Sequence, residues 1–151
     1  MSKSDYYTRD AANKGIKVDL VKPDGEDSGD YLRILGADSD RFRAASNDRA
    51  MDAIDIINTK DPKEREEKEL AHRISLIASL VVDWSFDEPC TQAAVEEFLL
   101  NAPAIRDQID QTAADRKRFL ANGSPSSEPL PGQNSSSTKS RKGQKSAKSK
   151  P

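Results

Sequence analysis

VVDWSFDEPC, residues 81–90, holds the only tryptophan and the only cysteine of a 151-residue chain, with one of its four phenylalanines. This stretch joins the most apolar segment of the chain to everything that follows. Upstream, Leu70, Ile74, Ile77 and Val81 recur at spacings of three and four, and Leu76, Leu80 and Val82 widen the stripe. That is the pattern of an amphipathic helix. The spacing predicts a central core helix that begins at Asp61-Pro62 and finishes at Val81 and Val82. Asp61 is placed as the N-cap, and Pro62 takes the first helical position, where its missing N–H costs nothing. The charged turn Glu64–Glu69 brings acids that favour a helix N-terminus. Trp84 and Phe86 are placed to fold back onto this helix. Asp87 and Glu88 keep the turn wet, and the residue before Pro89 is biased out of helix. Cys90 starts the next helix or sits just before it. The rare residues therefore read as a structural corner of Trp84, Phe86 and Pro89, not as a reactive site.

Outward from the corner, Thr91 caps a helix with Ala94, Val95, Phe98 and Leu99 on its apolar side. Asn101-Ala102 breaks it, and Pro103 starts a last helix carrying Ile105, Ile109, Ala113 and Phe119, with Arg116 or Leu120 continuing the line. In the other direction, Asp38 or Ser39 caps a helix whose modest apolar face is Phe42, Ala45, Ala50, Ala53, Ile54 and Ile57. Before it, IKVDLV (16–21) and YLRIL (31–35) alternate apolar and polar residues around the turn-rich PDGEDSG (23–29). Period-two alternation with β-branched residues reads as a β-hairpin. The expected architecture is mainly α with a small N-terminal β-hairpin. It is a compact bundle of about four helices plus a disordered C-terminal tail. Residues 1–14 read as a flexible N-terminus, 15–120 as the hairpin-plus-helix domain, and 121–151 as a basic Ser/Lys/Pro-rich tail too poor in apolar residues to offset chain entropy.

Charge sharpens that division. Residues 121–151 hold six cations and one anion, so the chain's 24 cations and 26 anions leave residues 1–120 with 18 against 25, or −7. An acidic body carries a basic tail. Apolar runs are far shorter than the ~20 residues a bilayer needs, so no membrane span is expected. The N-terminal MSKSDYYTRD has no apolar signal region. One cysteine allows no internal disulfide, and the expected compartment is the cytoplasm.

No residue constellation points to catalysis. His72, the only histidine, lies 18 residues from Cys90 across a helix end, and a nucleophile needs its base within hydrogen-bond reach. One His and one Cys leave only acids as metal ligands. The acidic runs at 23–30 and 36–40 lack the Asp-x-Asp-x-Asp-Gly spacing of a calcium loop. Gly25, Gly29 and Gly36 form no phosphate loop. No catalytic, cofactor or metal site is expected. The tail suggests a second reading, a small nucleic-acid-associated protein that binds through its cations in a salt-sensitive way. The tail has no aromatic residue to stack on bases, which disfavours that reading.

The order of these pieces resembles a family. A hairpin with a PDG turn precedes GADSDRFRAA (36–45) and its helix. A helix ending in tryptophan, a phenylalanine among acids and a Pro-Cys helix start follow. Then come PAIRDQI (103–109) and a helix closing on RFL (118–120). Over residues 16–120 this looks like the phage tail assembly chaperones of long-tailed bacteriophages, in the short product of the frameshifted chaperone gene. The resemblance implies a non-catalytic protein that keeps the long helical tape measure protein soluble. It would recruit the tail tube protein and stay in the host cell cytoplasm, absent from the mature virion. Self-association is left open. The candidate client-binding face is that of the last two helices, Phe98, Ile105, Ile109 and Phe119.

Overall fold

The computed structural model describes residues 2–121. A 3-10 turn at Lys3–Tyr6 leads to α1 (Arg9–Lys14), and strands β1 (Ile16–Val21) and β2 (Asp27–Ile34) follow. Helices α2 (Asp40–Asp48), α3 (Ala50–Asn58) and α4 (Pro62–Ala78) come next, then a third strand, β3 (Val81–Trp84). Helices α5 (Gln92–Asn101), α6 (Pro103–Ala114) and α7 (Arg116–Leu120) complete the described chain. The fold is mainly helical with the expected N-terminal hairpin. The expected tail, from residue 122 onward, lies outside the described residues.

The hairpin pairs Ile16 with Ile34 and Val18 with Leu32. Alternation places Val18, Leu20, Leu32 and Ile34 on one buried face, as the sequence pattern requires. At the turn, Gly25 takes a φ of 94° and its N–H donates to Lys22 O at 2.8 Å. A side chain there would be strained, so glycine suits the position.

The decisive departure is at residues 79–84. The central helix ends at Ala78, and Val81–Trp84 pairs antiparallel with β2, giving a sheet in the order β1-β2-β3. Ser79 closes the helix: its backbone N–H donates to Leu76 O, and its hydroxyl donates to the same carbonyl at 2.6 Å. Leu80 then turns the chain, and its carbonyl accepts from Leu35 N–H at 2.8 Å. The hairpin leaves the outer edge of β2 unpaired, and β-branched Val81 and Val82 fill it at little conformational cost. Val81 pairs with Ile34 and Asp83 with Arg33, which leaves Val82 as the extra residue of a bulge.

Two of the four expected helices are broken in two. The helix from residue 39 is interrupted at Arg49, whose side chain turns inward, donating to the Ser75 hydroxyl and to Ala45 O. The last helix is interrupted at Asp115, which caps α7 by accepting from Lys117 N–H at 3.2 Å. The other expected caps hold. Ser39 accepts from Phe42 N–H, Asp61 from Glu64 N–H and Thr91 from Ala94 N–H.

The first 14 residues also differ from a loose polar segment. Ala12 is buried, and Gly36 N–H donates to Ala12 O at 3.0 Å. Arg9 grips Asp40 with two hydrogen bonds, while Asn13 accepts from Asp40 N–H at 2.7 Å. Short-range pattern offers no hint of these pairings, because each partner lies 24 or more residues away.

The core sits between the inner sheet face and α4 to α7. Leu32, Ile34, Val81 and Trp84 from the sheet meet Ile74, Ile77, Val95, Leu99, Ile109, Ala113 and Phe119 from the helices.

Candidate functional site

Within VVDWSFDEPC, Trp84 is buried at the end of β3 and Phe86 is half-buried. Trp84 is only 6% exposed, and its indole N–H donates to Glu88 O at 2.8 Å. Buried tryptophan needs such a partner for its one polar atom. The Phe86 and Phe98 rings lie 5.1 and 6.0 Å from the Trp84 ring, and 5.3 Å from each other, all edge-on. These are favourable aromatic geometries. Phe98 therefore belongs to this three-ring cluster. Pro89 is exposed, and it shapes the backbone without joining the rings.

Cys90 is half-buried against the core. Burial, reinforced by Asp83 and opposed by Arg41, pushes its thiol pKa upward. A nucleophilic cysteine requires the opposite shift, toward thiolate. His72 sits on α4, with Nδ1 3.8 Å from an Asp52 carboxylate on α3. Among the described residues, no group of three or more His, Cys, Asp or Glu side chains is arranged to hold a metal ion.

The face expected to bind a client is differently disposed. Ile109 and Phe119 are 1% and 4% exposed, members of the core. Ile109 sits on the α6 stripe that faces the other helices. The break at Asp115 redirects α7, so that Phe119 reaches inward to the Gly36–Ala12 contact. Phe98 and Ile105 are half-buried against the core. The four residues do not form an open surface.

Two carboxylates at the start of α2 are heavily engaged. Asp38 accepts from Thr8 Oγ1 at 2.6 Å and from the Arg116 guanidinium at 2.6 and 2.8 Å. The Arg116 and Thr8 hydrogen bonds hold the Asp38 pKa down at about 2. Asp40 is also lowered, mainly by its hydrogen bond from Arg9. Both link distant segments. Asp38 joins α1, α2 and α7, so a structural role accounts for its perturbation.

The surface that sequence reasoning missed is on α3. Met51, Ile54 and Ile57 are 70%, 50% and 73% exposed, whereas Ile56 is buried. At 3.6 residues per turn, Met51, Ile54, Ala50, Ile57 and Ala53 share one arc, with Asn58 its one polar member. All five apolar members are solvent-exposed. Ala50, Ala53, Ile54 and Ile57, expected to pack inward, face solvent beyond the break at Arg49. The available signal was apolar excess. AMDAIDIIN (50–58) has apolar residues on more than one face, more than a peripheral helix needs for one core contact.

Among the described residues, no helix is long and apolar enough to cross a membrane. No family model matches the sequence, and no curated protein or solved structure matches it either.

Proposed function

We propose that the chain is a non-catalytic assembly chaperone of the kind its sequence resembles. It would bind the tape measure protein of a long-tailed phage in the host cytoplasm, assist tail tube protein assembly around it, and leave before the virion is complete. The observation that carries the reading is an acidic helical body with an apolar helical stripe facing solvent. Residues 2–121 hold all 25 of the body's anions and its 18 cations, while Met51, Ile54 and Ile57 stand exposed on one arc of α3. A long amphipathic client aggregates through its apolar stripe. A short matching stripe covers part of that stripe by helix-on-helix packing, and the acidic surround raises the rate of encounter with basic segments. The rare side chains that suggested chemistry support the same reading: Trp84 and Phe86 are engaged in packing, and Cys90 has its thiol pKa raised.

The test is co-expression with a tape measure protein, taken from a very long neighbouring gene. A clear rise in soluble tape measure protein, with the two co-purifying, is expected. A tape measure protein as insoluble with the chain as without it overturns the proposal.

A further inference from the structure

We infer that the outward arc of α3 is a docking surface for an amphipathic helix whose apolar stripe is flanked by lysine or arginine. For the client's biological identity this rests on the chaperone reading above; the docking chemistry stands on the surface itself. Helix α3 packs mainly on α2 and α4, and its buried residues are Ile56 and, at its end, Thr59. The opposite side is left with Ala50, Met51, Ala53, Ile54 and Ile57 in water. Contiguous exposed apolar residues of this kind mark interaction sites in soluble domains.

Charge selects the occupant. Asp52 and Asp55 border the arc on one side, and Asp48 precedes the helix; all three are exposed. The one cation within residues 48–59, Arg49, is directed inward to Ser75 and Ala45. Lys68 reaches Asp55 at 2.9 Å but is shared with Glu64, and His72 Nδ1 lies 3.8 Å from Asp52. The rim is therefore acidic, and a partner bearing cations beside its apolar stripe is favoured over an acidic one.

Size and charge together disfavour a second copy of this chain. Nine residues of helix give a strip ~14 Å long, a few hundred Å² at most, against ~800 Å² per partner in a standard stable interface. A two-fold pairing through this strip would also bring the same aspartates together. The chain's own basic tail supplies charge without apolar cover, since Leu130 is its only large aliphatic residue. What fits is one or two turns of a basic amphipathic helix, held weakly enough to be released.

The test uses the full chain and a fluorescent 18-residue Leu/Lys amphipathic peptide, with a Leu/Glu peptide of the same pattern as comparator. Fluorescence anisotropy is expected to show saturable binding of the Leu/Lys peptide and at least tenfold weaker binding of the Leu/Glu peptide. The triple variant Met51→Ser, Ile54→Ser, Ile57→Ser keeps the net charge and should weaken Leu/Lys binding at least tenfold. On the unsubstituted chain, peptide-induced NMR shifts should centre on residues 50–58, a readout independent of the variant's folding. Unchanged affinity in a folded triple variant, or shifts centred on α5 and α6, overturns the inference. So does a wild-type dimer in sedimentation that the triple variant abolishes, which would make a second copy the occupant. Co-expression separates the two proposals. If wild type and triple variant solubilise the tape measure protein equally, the α3 surface is wrong and the chaperone reading stands. If neither does but the peptide still maps to α3, the reverse holds.

Discussion

Trp84→Ala removes the largest side chain of the corner, and its cost follows from the geometry. The ring is 6% exposed, edge-on to Phe86 and Phe98, and its N–H is satisfied by Glu88 O. Truncating a buried Trp to Ala typically costs about 3–5 kcal/mol. Loss of two aromatic pairs and one hydrogen bond places this site no lower than the middle of that range, about 4 kcal/mol. A body of ~120 residues unfolds with an entropy near 0.25 kcal/mol/K, so the melting temperature should fall by about 16 °C. The assay is far-UV circular dichroism during thermal and urea unfolding, since the substitution deletes the only tryptophan fluorophore. Trp84→Phe is the companion. It keeps an aromatic ring and frees Glu88 O, at an exposed turn, to bond water, so it should cost only about 1–2 kcal/mol. A Trp84→Ala protein that melts within about 3 °C of the parent would refute the buried-corner argument and make Trp84 a contact for a partner.

Asp38→Asn should loosen the link between α1, α2 and α7. Its folded pKa of about 2 lies below that of a free carboxyl, so its contribution is present above pH ~4 and is lost as pH falls toward 2. The wild type should lose about 1 kcal/mol more than Asp38→Asn over that window, a modest amount because Arg116 is solvent-facing; equal acid sensitivity in urea titrations would contradict this. Cys90 should alkylate with iodoacetamide at pH 8 more slowly than a free thiol, since burial raises its pKa. Cys90→Ser should leave client solubilisation unchanged, and a loss of activity in a folded protein would return the thiol to consideration.

The joint at residues 79–84 shows where local pattern stops. Val81 and Trp84 are three apart, which in a helix puts them on one face, and Leu70, Ile74 and Ile77 lead into them at helical spacing. In the folded chain the same two residues are buried on one face of a strand. A regular strand would place them on opposite faces. The bulge at Val82 inserts one residue, and odd spacing becomes same-sided. Helix and bulged strand thus leave the same trace over four residues, and only the open edge of β2 decides between them.

Short-range chemistry controls much of the local structure. Alternation in β1 and β2, the caps at Ser39, Asp61 and Thr91, and the prolines that open α4 and α6 each depend on residues within a turn or two. Tertiary structure decided what depends on distant partners. It ordered residues 3–14 through Asp38 and Asp40, stopped the central helix where β2 offered hydrogen bonds, and turned Ile109 and Phe119 into core. It also broke the helix at Arg49, leaving Met51, Ile54 and Ile57 in water. An apolar stripe states only that a face must be covered. Which face a neighbouring element covers, and which is left for another molecule, is fixed by contacts that no local periodicity encodes.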